Sequence, residues 1–196
     1  MSKLTAKVKI IKDKKGIPFT FGGTKDLKLG AVSGLISHES KRIAICDICN
    51  FLDVKNLFDF NKISSLCSTR MLIDGYKEKI MNKEIEFFNF GYQTENFAKT
   101  DKDFFYFNKE IYHIFGMKEV RKFDDRKKYE KESDINYPIT QFGLYFAEKM
   151  KEIESLFDQI YFSISLEAIN VKKIKKNKAI NSLNIAVILK QKENLN

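Results

Sequence analysis

Between Phe142 and Ala168 a helical period gives way, within a few residues, to a strand period. Phe142, Tyr145, Phe146, Met150, Ile153 and Phe157 recur at mostly helical spacing, whereas Ile160, Phe162, Ile164, Leu166 and Ala168 alternate with Tyr161, Ser163, Ser165 and Glu167. The first pattern predicts an amphipathic helix over 141–158, with Glu148, Lys149, Lys151 and Glu152 on its wet face, and the second predicts a strand over 160–168. A helix that runs straight into such a strand buries its apolar stripe on the sheet that strand joins, so all-helical and all-strand folds are excluded. Leu183, Ile185, Val187 and Leu189 repeat the alternation. They predict the return strand of a long hairpin whose connection carries Lys172, Lys173, Lys175, Lys176 and Lys178.

The amino-terminal residues read the same way. Leu4, Ala6, Val8 and Ile10 alternate with Lys3, Thr5, Lys7 and Lys9, predicting a strand with lysine along one face. Asp13-Lys14-Lys15-Gly16 supplies a turn, and Ile17–Phe21 returns as a second strand that Pro18 assigns to a sheet edge. The expected architecture is α+β: an antiparallel sheet built from the terminal hairpins, one helix packed on it, and a helical, aromatic-rich middle. Short helices are expected over 62–73 and 76–86. Residues 42–52 read either as a helix or as the close of a strand at 43–45. The region 87–115 holds eleven of the 26 aromatic residues, and Phe104-Phe105-Tyr106-Phe107 is either core or a platform for unpaired bases. Residues 118–135 are charge-dense and read as an exposed link within a single domain spanning 1–196.

At 196 residues, with 43% hydrophobic and 31% charged side chains, nine Gly and two Pro, the chain can bury a core and is not a disordered or low-complexity polypeptide. It has no apolar run of about 18 residues, and Met1–Lys7 leads into alternation instead of a signal-type apolar segment. Three cysteines, an odd number, argue for reduced thiols. The expectation is a cytoplasmic protein without a membrane partner.

The formal charge of +9 is unevenly placed: residues 1–30 and 171–196 each carry +6, while 31–170 carry −3. Two cationic ends that meet in space suit a phosphate backbone. Catalytic constellations are incomplete. Cys46-Asp47-Ile48-Cys49 is a CxxC, and His38 and Cys67 complete a Cys₃His set on arithmetic alone; apolar neighbours favour buried thiols without metal. With His38 and His113 as the only histidines, two-histidine phosphoesterase and Arg–His ribonuclease patterns fail. The carboxylate pairs Asp101/Asp103, Asp124/Asp125 and Glu84/Glu86 lack the Glu-x-Lys partner of a restriction-type nuclease and read as solvated faces.

Asp47-Ile48-Cys49-Asn50-Phe51-Leu52-Asp53-Val54-Lys55-Asn56 resembles the D-V-C-x-x-L-G-x-K-N segment of BRO-type phage antirepressor DNA-binding domains. Ile43 stands where that family has an aromatic, Asp53 where it has glycine, and the likeness ends at Asp59. What the resemblance implies is a regulator carried by a mobile genetic element.

The function expected is non-enzymatic nucleic-acid binding, to DNA or RNA, with Lys7, Lys9, Lys172, Lys173, Lys175, Lys176 and Lys178 as phosphate contacts, no catalytic residues, no metal and no cofactor. The alternatives are an inhibitor that docks on a host nucleoprotein machine and a metal-dependent nuclease.

Overall fold

A computed structural model describes residues 2–21, 25–36, 41–49, 52–55, 67–92, 99–116, 141–165 and 184–191. In chain order they form α1 (Ser2–Asp13), β1 (Phe19–Phe21), α2 (Leu27–Ile36), β2 (Ile43–Ile48), α3 (Ser68–Gly75), α4 (Lys77–Met81), β3 (Ile85–Tyr92), α5 (Lys99–Asn108), β4 (Tyr112–Gly116), α6 (Gln141–Leu156), β5 (Gln159–Ser165) and β6 (Asn184–Gln191). The strands make one sheet in the order β1-β6-β5-β2-β3-β4. β2, β3, β4 and β5 run parallel, and β6 lies antiparallel to both β5 and β1.

This overturns the antiparallel α+β expectation: the body of the sheet is parallel, with helices on both faces, and the class is α/β. The physical reason lies in burial. Parallel strands covered on both sides read as continuous apolar runs and lose the period of two. Ile43-Ala44-Ile45-Cys46 and Phe87-Phe88-Asn89-Phe90 are such runs, buried throughout. They carry no directional signal, and 43–48 is strand where a helix over 42–52 was the competing reading.

The amino-terminal segment is a helix, not a strand. Four alternating residues also fall at i and i+4, so Leu4 and Val8 share a helical face as readily as a strand face. Tertiary packing decides: Val8 is buried against Gly34 of α2, and Thr5 Oγ1 donates to the Gly30 carbonyl at 3.0 Å. A Cβ on Gly34 would sit 2.8 Å from the Val8 Cβ, so the small residue permits the approach. Phe104–Phe107 are helical too, within α5. Phe104 is core, while Tyr106 and Phe107 are exposed. The expected link at 118–135, and with it any domain boundary there, lies outside the described residues.

One face of the sheet is covered by α1, α2 and α3, around Val8, Val32, Leu35, Ile45, Leu72, Phe87 and Tyr112. The other is covered by α6, through Ile153, Phe157 and the partly buried Phe146 against Ala44, Cys46, Phe88, Phe90 and Ile160. Phe146 meets Phe90 edge-on at 4.9 Å, and Phe157 meets Phe88 edge-on at 5.6 Å. Arg42 ties this layer to the amino end of β2: it donates to the Leu156 carbonyl, pairs with Glu86 at 3.1 Å and lies 4.6 Å over the Phe157 ring. No described helix is long and apolar enough to cross a membrane.

Candidate functional site

In an open α/β sheet the crevice for ligands lies beyond the carboxyl ends of the strands, where the strand order reverses. Here β3 and β4 extend one way from β2 and β5 lies on its other side, so the reversal falls between β2 and β5. At that point Ser163, Asp47 and Asn89 are neighbours in register across β5, β2 and β3. By strand alternation they share the face of Ile43 and Ile45, beneath α2 and α3.

A polar centre closes over this row. Lys28, the one charged residue of α2, places Nζ 2.8 Å from Asp47 Oδ2 and 2.5 Å from Asp53 Oδ2, and donates to Thr69 Oγ1 at 2.5 Å. Asp53 also accepts from Ser68 Oγ, from Thr69 Oγ1 at 2.8 Å and from the Thr69 amide at 3.2 Å. Asp47 accepts from Ser163 Oγ. Beside it, Lys25 Nζ donates to Cys49 Sγ at 2.6 Å. Lys25, Lys28, Asp47, Asp53, Ser68, Thr69, Asn89 and Ser163 are all buried.

Burial lowers the Lys28 pKa, but Asp47 and Asp53 outweigh it and hold it well above the ordinary lysine value. Burial would likewise favour the acid form of Asp53. Lys28, then Lys25, together with the Ser68 hydroxyl reverse this and hold its carboxyl far below the usual range. Two ammonium groups thus balance two carboxylates, and Lys28 occupies the point between the carboxylates that a divalent cation would otherwise bridge. Burial, reinforced by the Asp47 carboxylate, pushes the neighbouring Cys46 thiol and Tyr161 phenol upward. Cys46 is therefore a poor nucleophile.

Of the expected phosphate contacts, Lys7 and Lys9 are exposed on α1, on a helix instead of a strand. Lys172, Lys173, Lys175, Lys176 and Lys178 lie outside the described residues. Cys46, Cys49 and Cys67 are buried and form no disulfide, and His38 lies outside the described residues. Glu84 and Glu86 are spent on Lys79, Arg42 and His113, and Asp124 and Asp125 are outside the described residues. Asp103, Phe104, Tyr106, Phe107 and Lys109 line a groove of about 990 Å³ against α3 and α4.

The sequence reading missed Lys28, Asp47, Asp53, Thr69 and Ser163 as a unit. The available signal was a single charge set in each of two apolar runs, Leu27–Ile36 and Ile43–Ile48, since a charge in such a run is buried and needs a partner. Against known protein families, curated proteins and solved structures the chain finds no match, so the ten-residue likeness at 47–56 carries no family assignment.

Proposed function

We propose that the chain is a cytoplasmic, non-enzymatic nucleic-acid-binding protein that contacts phosphates through Lys7 of α1 and through Lys172, Lys173, Lys175, Lys176 and Lys178. The observation that carries this reading is the outer face of the amino-terminal helix. Lys3, Lys7, Lys9, Lys14 and Lys15 are all exposed, and Asp13 is the one acid between Ser2 and Gly16. Lys3, Lys7 and Lys14 fall within about 40° of one another around the helix axis, forming a cationic stripe along one side. Such a stripe follows a phosphate backbone without reading its sequence.

The test is a salt series on labelled single-stranded and duplex DNA and RNA. Replacing Lys3, Lys7, Lys9, Lys14 and Lys15 by Ser should weaken binding and flatten log affinity against log salt by about 0.7–0.9 for each phosphate no longer neutralised. Wild-type protein that binds none of the probes would reject the reading in favour of a docking protein.

A second reading, a metal-dependent nuclease, is favoured by the position of Asp47 and Asp53 at the strand-order reversal. It requires Lys28 to yield its place to the cation. Magnesium-dependent cleavage of the same probes, abolished in Asp47→Asn, would replace the binding reading with this one.

A further inference from the structure

Nine large apolar side chains are exposed among the described residues, and five of them, Ile10, Ile11, Ile17, Phe19 and Phe21, fall within twelve consecutive positions. A concentration of this kind marks a surface that meets a partner. Phe19 and Phe21 are 61% and 66% exposed, on the edge strand β1. Being two positions apart on a strand, they project to the same side, about 6.6–6.8 Å apart along the chain. Thr20 and Pro18 face inward, and Pro18 is buried.

The turn that delivers this strand is fixed. The Gly16 amide donates to the Ile11 carbonyl and the Lys15 amide to the Lys12 carbonyl, both at 2.8 Å, which closes α1 in a Schellman arrangement. Its left-handed position, usually glycine, is Lys15 with φ of 56°, and a Cβ at Gly16 would meet Ile11 Cγ2 at 2.9 Å. Lys14 and Lys15 are thereby held exposed immediately before the aromatic strand.

We propose that Phe19 and Phe21 form a stacking platform for two consecutive bases of an unpaired nucleic-acid strand, with Lys14 and Lys15 beside it on the phosphates; this rests on the nucleic-acid reading above and assigns its substrate class as single-stranded. Charge and shape both favour this occupant. The apolar side chains adjoin a run of cations, which complements a polyanion that also has flat apolar faces. Addition of a strand from a second copy is opposed by the three-residue length of β1 and by Pro18, which lacks an amide proton.

The probes are a fluorescein-labelled oligothymidylate of about twelve nucleotides and a hairpin duplex of matching charge, titrated by anisotropy. Wild-type protein should bind the single strand more tightly. Phe19→Ala with Phe21→Ala should weaken single-strand binding about ten- to a hundredfold, leave duplex binding and the salt slope unchanged, and keep the thermal midpoint; Phe19→Tyr with Phe21→Tyr should retain affinity. If the lysine variant flattens the salt slope but the double alanine variant binds oligothymidylate like wild type, the platform is overturned while phosphate binding stands. If wild-type protein binds neither probe, both readings fall. A wild-type dimer that the alanine pair converts to monomer, with single-strand binding intact, assigns the patch to a second copy and overturns the platform.

Discussion

At Lys28 one ammonium lies between two buried carboxylates and beside a threonine hydroxyl, so its removal leaves Asp47 and Asp53 close together with their hydroxyl and amide hydrogen bonds but without the cation between them. Lys28→Met should cost about 3–5 kcal/mol, measured by urea unfolding, and the triple variant with Asp47→Asn and Asp53→Asn should recover part of it. An unchanged midpoint in Lys28→Met would show that the centre is not a closed ionic unit. The pH dependence follows from the two directions. Asp53 has its folded pKa depressed, so its contribution is present above about pH 4 and is lost as pH falls from there toward the folded value. Lys28 has its folded pKa raised, so its contribution is complete below about pH 10.4 and declines as pH rises beyond it. Lys12 is the opposite case. Burial, reinforced by Lys41, lowers it to about 8, and its Nζ is buried with no hydrogen-bond partner among the described residues. Because the unfolded chain binds this proton more tightly, the charged form is a cost at neutral pH. Lys12→Met should add about 1–3 kcal/mol at pH 7, and the gain should shrink as pH rises above about 8.

Among the elements, α6 and the α1–α2 pair carry the sharpest packing predictions. Phe157 follows α6, is buried against Phe88 and lies under the Arg42 guanidinium, so Phe157→Ala should cost about 3–5 kcal/mol by chemical denaturation. Gly34→Ala should cost about 1–3 kcal/mol by forcing α1 off α2, and Val8→Ala in the same chain should relieve part of that. α6 was legible because an amphipathic helix lying on one sheet face keeps its stripe, and β5 because its inward and outward positions still differ. The C-terminal strand pair was visible for the same reason. β2 was legible only as one of two readings, a strand at 43–45 against a helix, and β3 not at all, since burial on both faces removes the alternation that would reveal them. α1 was misread because Leu4 and Val8 satisfy both periods, and only Gly30 and Gly34, 22 or more positions away, break the tie. The exposure of Lys7 and Lys9 was open to composition and charge; the Lys28 centre was not, because its members come from α2, the β2 end, α3 and β5 and share no spacing.

Over the whole molecule, β6 is the hinge of the topology: it bridges the parallel body to β1, pairing Ile164 with Ile185 on one side and Ile185 with Phe21 on the other. Truncation before Asn184 should therefore remove the strand partner of β1 and leave β5 as a bare edge. Hydrogen exchange is the readout: the protected amides of β1 should open to solvent rates, while those of β2 and β3, held by neighbours on both sides, should remain the slowest. Equal loss of protection across all six strands would show the sheet to be one indivisible unit. The same closure has a consequence during translation. β1 leaves the ribosome some 165 residues before the residues it must pair with, a wait of about ten to thirty seconds at common elongation rates. Throughout that interval Phe19 and Phe21 ride on a nascent strand without a sheet, the kind of segment that chaperones seize, and the β1 edge of the sheet is completed only when β6 arrives.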